Sequence, residues 1–399
     1  MKSVNLFLVL SIALSLTLSA TDVKLTETNN QLTITEKTLT EFTFINHLSE
    51  FQTMNVKTNA GDFVKLIVSG YGENALKGNA ELPVLEELIN IPFGAEVSVK
   101  IINKEEKVIS LSDYGIMNFI FPSQPSISKS EDAATVPFYF NEEYYANNDF
   151  YTNKLITTEF LGKMRGQQLA RISISPFQYN PVTNELKVIT KMEVKVVFKN
   201  TDISAHLENK KRYYSPEFEH LFKSCLNYMP MQEKDVITTY PVKYVIVSDP
   251  AFQTALQPLV QWKTKKGFML VEGYTNDPAV GNTTASIHAY LKDMYDNATT
   301  NDPAPTYLLI VGDDGQVPSF NNGNHLSDMY FCEFDGGGDF YPEMYYGRFS
   351  AVSSADVEAQ VHKTLTHEQY TFSDPSFLDE ALLVAGVDAS MAPTYGNGQ

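Results

Sequence analysis

Residues Tyr307–Gly315 read YLLIVGDDG: five apolar or aromatic residues in a row, then a glycine and two aspartates. So short a run, with no polar alternation, is the pattern of a parallel strand covered on both faces. KYVIVSD at Lys243–Asp249 repeats the pattern, and Met269–Val271 and ALLVAGVDAS (from Ala381) add two further runs. Between them Phe252, Leu256, Leu259 and Val260 recur at helical spacing, with Gly267 where a C-terminal cap belongs. Ile287, Tyr290, Leu291 and Met294 mark a second helix. Val357, Val361 and Leu365 mark a third, opened by Ser353 and Asp356 at capping-box spacing. This alternation predicts a doubly wound, mainly parallel sheet, whose ligands bind off the carboxyl ends of the strands. Asp313, Asp314 and Asp388 stand at such ends, although each is equally explained as a turn cap.

Upstream, from Thr21 to about Asn200, the signal is β. KMEVKVVFK sets Met192, Val194, Val196 and Phe198 against Lys191, Glu193 and Lys195, one buried face and one wet one. ARISISPF has the same period, QYNPVTNELKV supplies a turn, and FVKLIVSGYG and AEVSVKII read as strands too. A mostly antiparallel, sandwich-like domain is expected there. Asn200–Tyr240 is charged and partly helical, the character of a boundary. Its Lys210-Lys211-Arg212 cluster reads either as a protease-sensitive site or as a solvated helix segment.

The first twenty residues carry Lys2, an apolar run Leu6–Leu18 and a small-residue exit at Ser19-Ala20, the form of a cleaved secretory leader. The run is too short to span a bilayer comfortably, so no membrane span is expected once it is removed. A net charge of −18 argues against nucleic acid or an anionic membrane surface as partner. Two cysteines in 399 residues exclude a disulfide scaffold, and there is no Cys/His cluster for zinc.

EFDGGGDFYPEMYYGRFS, Glu333–Ser350, holds Asp335, Asp339 and Glu343 four residues apart, but three glycines and Pro342 exclude a helix. DMYF before it and EMYYGRF after it read as hairpin arms. Carboxylates and bare backbone carbonyls are the donors calcium takes, six to eight at about 2.3–2.6 Å; the EF-hand spacing is absent. The search for a nucleophile finds less. Cys332 has an acidic neighbour, which disfavours a thiolate, and Cys225 lies in the boundary segment. None of the seven histidines pairs with a Ser or Cys motif, and His362 and His367 fall on the exposed side of a helix.

Taken together, Val311-Gly312-Asp313, Ser327-Asp328, the G-x-D-x-Y-x-E run Gly337–Glu343 and Gly347–Ser350 (G-R-F-S) resemble the catalytic domain of gingipain-type cysteine peptidases. The likeness runs from about Pro241 onward. KLIVSGYG and GNAELPVLEELINIPFGAEVSVKI are similar to that family's inhibitory propeptide. The resemblance implies a secreted zymogen with a caspase-like α/β fold in two subdomains. Its chemistry is a Cys thiolate with a His general base, working through an acyl-enzyme. Both catalytic residues are expected beyond Gln399, and neither Cys225 nor Cys332 takes the nucleophile's place. The resemblance also implies a calcium ion held by Asp313, the carbonyl of Gly336, Asp339, the carbonyl of Tyr341, and Glu343. Cys332, Gly337, Gly338 and Phe340 depart from the family pattern without removing a ligand.

The expected organisation is a leader (1–20), a β-rich propeptide with linker (21–235), a first α/β subdomain (236–372) and the start of a second (373–399), cut short. The expected partners are protein or peptide substrates, and the propeptide packing on its own catalytic domain. The 399-residue chain alone is expected to be inactive. One alternative is a non-enzymatic, calcium-stabilised secreted or surface binding module. Another is a metal-dependent hydrolase using Asp313, Asp314 and Asp339.

Overall fold

Burial along a single strand, β12 (Glu185–Lys199), explains the N-terminal half. Met192, Val194, Val196 and Phe198 are buried while the lysines and Glu193 between them face outward. β12 pairs with β3 (Glu41–His47), β11 (Phe177–Asn180) and the long β8 (Glu96–Ser110), and β2 (Gln31–Lys37) extends the sheet beyond β3. A second sheet runs β6 (Gly72–Asn74), β7 (Leu82–Ile91), β10 (Gln167–Ile174), β9 (Ile156–Met164). Its Ile89, Ile172 and Ile174 meet Phe42, Phe44 and Val194 of the first sheet in one apolar layer. A third sheet, β1 (Ala20–Lys24), β4 (Glu50–Thr58), β5 (Gly61–Ile67), closes over Phe177, Tyr179, Leu186 and Val188. Every ladder in these three sheets is antiparallel. The sandwich-like reading therefore holds, with three sheets in place of two.

The computed structural model describes residues 20–127, 135–151, 154–230, 241–299, 301–323, 325–336 and 340–382. The leader up to residue 19, Gly337, Gly338, Asp339, Asp388 and the strand expected over ALLVAGVDAS from residue 383 onward lie outside these residues.

Three short helices, α1 (Glu142–Ala146), α2 (Ile203–Arg212) and α3 (Glu219–Lys223), belong to the N-terminal half and the boundary segment. Beyond Pro241 comes a four-stranded parallel sheet in the order β14 (Met269–Tyr274), β13 (Lys243–Ser248), β15 (Pro305–Val311), β18 (Tyr345–Phe349). Alternate residues of its central strands face opposite ways. Val245, Val247, Leu308 and Ile310 pack with α5 (Thr284–Asp296). Ile246, Leu309 and Val311 pack with α4 (Gln253–Lys265) and α6 (Ser354–Glu368). The expected caps are in place: Gly267 at φ +92° after α4, and the Ser353/Asp356 capping box on α6.

The hairpin expected from DMYF and EMYYGRF does not form. Met329–Phe331 is a short 3₁₀ turn, and Phe331, Cys332 and Phe334 dive into the core beside α5. Tyr345–Phe349 instead joins β15 in parallel. The burial of three apolar side chains next to the glycines outweighs local strand pairing. A small ribbon, β16 (Phe320–Asn321) with β17 (Leu326–Ser327), precedes the turn.

Candidate cation site at the domain junction

β9 and β10 are joined by two residues only, Arg165 (φ +52°) and Gly166 (φ +68°), with Met164 opposite Gln167. Positive φ at both central positions is the tight turn that matches strand twist. The turn projects from the N-terminal half into the α/β domain. There Arg165 is 1% exposed, its guanidinium held through Nε and Nη1 while Nη2 has no hydrogen-bond partner among the described residues. Its Nε donates to the carbonyl of Tyr213 at 2.9 Å. Its Nη1 donates to the carbonyls of Pro305 at 2.6 Å and Glu343 at 3.0 Å. Tyr213 stacks on Tyr295 of α5 at 4.5 Å, walling the site. Around it Phe218 stacks on Tyr345 at 4.3 Å, and Cys225 and Phe222 pack beneath. The boundary segment is thus the mortar between the two halves. Within it Lys210 donates to the carbonyl of Met229 and Arg212 to those of Asp296 and Ala298. Arg212 therefore braces the end of α5 and Lys210 the loop at Met229, and both sit in the last turn of α2, not in the extended form a protease reads.

Glu343 is completely buried. Its Oε2 accepts the backbone N–H of Arg165 and the hydroxyl of Tyr295, the latter at 2.8 Å. Its backbone N–H donates to the carbonyl of Cys332 at 2.7 Å. Oε1 is enclosed and has no hydrogen-bond partner among the described residues. Asp335 is its acidic neighbour. Burial first, then that neighbour, hold the Glu343 carboxyl well above the usual carboxylate range. Lys163 Nζ stands 3.5 Å from Asp335 Oδ1. A buried carboxyl with one oxygen unmatched by any donor, and a second acid as its neighbour, are oxygen donors of the kind a hard cation takes.

Asp313 does not belong to that group. The register pairs Tyr307 with Tyr345 and Val311 with Phe349. Glu343 therefore enters at the amino end of the sheet, where Arg165 bridges it to Pro305, and Asp313 leaves at the carboxyl end. Eight residues from Pro305 to Asp313, at about 3.3 Å each, separate the two by roughly 20 Å or more. The parallel crossover makes this separation unavoidable. Exposed Asp313 instead accepts the N–H of Asp314 at 3.0 Å and the hydroxyl of Ser350 at 3.1 Å, as a turn residue does. Asp314 accepts the N–H of Ser319 at 2.8 Å.

The carboxyl end is organised by a pair that sequence reading met only as motif letters. Arg348 of G-R-F-S forks onto Asp328 of S-D, and its Nη1 reaches the carbonyls of Gly312 and Val317, both at 2.8 Å. The turn residues Arg165-Gly166, between two alternating runs, were the available signal for the hairpin that the sequence reading passed over.

Neither thiol is a nucleophile. Burial pushes Cys225 up to about 12 and Cys332 well above an ordinary thiol. His288 is tied to the carbonyl of Glu333 at 2.9 Å, and His362 and His367 lie exposed on α6. Among the described residues no three His, Cys, Asp or Glu side chains converge as a metal cluster.

A β-domain plugged by its own hairpin into a parallel α/β domain is the build of a propeptide on its catalytic domain, and comparison with known proteins agrees. Residues 21–215 match the family profile Propeptide_C25, and residues 237–397 match Peptidase family C25. The chain belongs to peptidase family C25 and carries that family's propeptide ahead of a caspase-like α/β domain. Lys-gingipain of Porphyromonas gingivalis is 34% identical over 377 residues, 94% of this chain. Gingipain R1 of the same organism is 26% identical over 81% of it. The chain spans 22% of the length of that Lys-gingipain and 31% of that gingipain R1. A solved structure on the zymogenic latency of gingipain K from Porphyromonas gingivalis aligns at 34% identity. It covers 45% of this chain and 99% of that one, with a TM-score of 0.44.

Proposed function

We propose that this chain is the N-terminal part of a secreted cysteine endopeptidase zymogen: leader, inhibitory propeptide and first catalytic subdomain. The observation that carries the reading is the head-to-tail match of propeptide and peptidase profiles over 21–215 and 237–397. The hairpin of the first part seated in the core of the second supports it. Hydrolysis proceeds by thiolate attack on the peptide carbonyl, with a histidine taking the proton and returning it to the leaving amine. Neither buried thiol here serves as that nucleophile in this reading, which takes the Cys/His pair from the part of the family's catalytic domain outside this sequence. Secretion rests on the leader pattern and on the relatives' family; no described helix is long and apolar enough to cross a membrane. A calcium ion is the cofactor of this reading, with Glu343, Asp339 and the carbonyls of Gly336 and Tyr341 as its ligands; Asp313 stands at the other end of the sheet.

The test is expression of the reading frame carried past Gln399, beside the 399-residue chain, in a peptide-hydrolysis assay with and without iodoacetamide. The longer product gains alkylation-sensitive hydrolysis after propeptide removal and the shorter has none. Thiol-dependent hydrolysis by the shorter chain, or none by the longer, overturns the reading.

A further inference from the structure

We infer that the α/β domain and the boundary segment together form, at the amino end of the parallel sheet, a receptor for an Arg-Gly turn, filled here by Arg165 and Gly166 of the β half. Its ligand class is a guanidinium on a left-handed residue followed by glycine. The notch stands whether or not the chain is a peptidase precursor.

Two features of the notch select a guanidinium. Toward Nε and Nη1 it presents backbone carbonyls, those of Tyr213 at 2.9 Å, Pro305 at 2.6 Å and Glu343 at 3.0 Å. They come from the boundary segment, the first residue of β15 and the loop before β18, so their positions are fixed by elements other than the hairpin itself. The walls are aromatic: the rings of Phe218 and Tyr295 lie 5.2 Å and 5.6 Å from Cζ, within reach of a cation–π contact. A guanidinium is planar, weakly hydrated and donates from a fixed fork, which suits a site where the side chain is 1% exposed. An ammonium is compact and strongly hydrated, and costs more to strip of water. Nη2 has no partner among the described residues, so the hold consists of three hydrogen bonds and two rings.

The backbone is read as well as the side chain. Glu343 meets Arg165 twice, with its carbonyl on the guanidinium and with Oε2 on the backbone N–H. The Tyr295 hydroxyl donates to the same Oε2 at 2.8 Å and holds it in place. Arg165 makes both contacts at φ +52°. The next position has no space for a side chain, because a Cβ on Gly166 would lie 2.5 Å from Cδ2 of Tyr213, which is stacked on Tyr295. Together these contacts specify arginine followed by glycine in a tight turn.

The experiment is chemical rescue in the intact 399-residue chain. Ethylguanidinium supplies the atoms that Arg165→Ala removes, and it is titrated at millimolar, non-denaturing concentration against wild type, Arg165→Ala and Arg171→Ala. Arg171 is an exposed arginine of β10 paired with Glu86 and Glu159, so it reports any general effect of losing an arginine. The melting midpoint of Arg165→Ala rises and saturates, by roughly 2–4 °C at about ten times the dissociation constant. Ethylammonium leaves it unchanged, and wild type and Arg171→Ala respond to neither ion. Hydrogen exchange at the backbone amide of position 165 slows with the same concentration dependence. If Arg165→Ala does not fold unaided, recovery of folding by ethylguanidinium and not by ethylammonium is the readout. No response of Arg165→Ala to ethylguanidinium, an equal response to ethylammonium, or the same shift in Arg171→Ala each overturns the inference.

Discussion

Arg348 and Asp328 form a two-pronged pair, Nε to Oδ2 at 2.8 Å and Nη2 to Oδ1 at 2.7 Å, with both side chains mostly buried. A guanidinium matches a carboxylate in this way and an ammonium does not. Because Arg348 also holds the carbonyls of Gly312 and Val317 and the hydroxyl of Ser319, it fastens two loops at the carboxyl end of the sheet. Arg348→Lys keeps the charge and loses the fork. It is expected to cost about 2–3 kcal/mol in urea unfolding of the α/β domain. Combined with Asp328→Asn the loss should be well below the sum of the two, and simple additivity would show that the residues do not act as a pair.

Gly166 is required for two separable reasons. Its φ of +68° disfavours any side chain, and a Cβ there would lie 2.5 Å from Cδ2 of Tyr213. Tyr213 cannot yield easily, being stacked on Tyr295. Gly166→Asn relieves the first problem, since asparagine tolerates the left-handed region, but not the second. Both Gly166→Asn and Gly166→Ala should lower stability by about 1–3 kcal/mol. Both should also raise protease cutting at the domain junction. Full rescue by asparagine would mean that backbone conformation alone matters.

Glu81 gives the propeptide a pH dependence. Lys65 serves two acids, Glu81 at 3.1 Å and Glu73 at 3.6 Å. Burial, reinforced by Glu73, outweighs the ammonium and lifts Glu81 to about 7. A carboxyl raised in the folded state contributes stability that is fully present below its unfolded value of 4.5 and is lost as pH rises through about 7. The loss is on the order of 3 kcal/mol at most. Urea midpoints between pH 4.5 and 8 should therefore fall for wild type and stay flatter for Glu81→Gln. Parallel curves would rule out Glu81 as the cause.

Both thiols should be silent in the native state. Cys225 and Cys332 are 3% and 0% exposed, so Ellman's reagent should find no fast-reacting thiol in the folded chain and two after denaturation. A rapid native reaction at either would contradict the packing described for it.

The parallel α/β half was legible because its strands are buried on both faces and its helices carry regular caps; Tyr307–Val311 and Ser353–Asp356 needed no tertiary information. Met192 to Phe198 declared a one-faced strand for the same local reason. Asp313 and Glu343 were joined by family likeness, and no local pattern could reveal that a parallel crossover sends them to opposite ends of the sheet. Asp335 was noticed for its spacing, but its place beside Lys163 depends on Phe334 turning into the core.

What the sequence determined by itself is therefore the order of the parts, an antiparallel β half before a parallel α/β half, because hydrophobic period is a property of neighbours along the chain. Only the tertiary structure decided that Arg165, in a two-residue turn, is the tooth joining them. Its partners Tyr213, Tyr295, Pro305 and Glu343 are scattered over the following 178 residues. A buried charge finds such partners through packing, which leaves no periodic trace in the sequence.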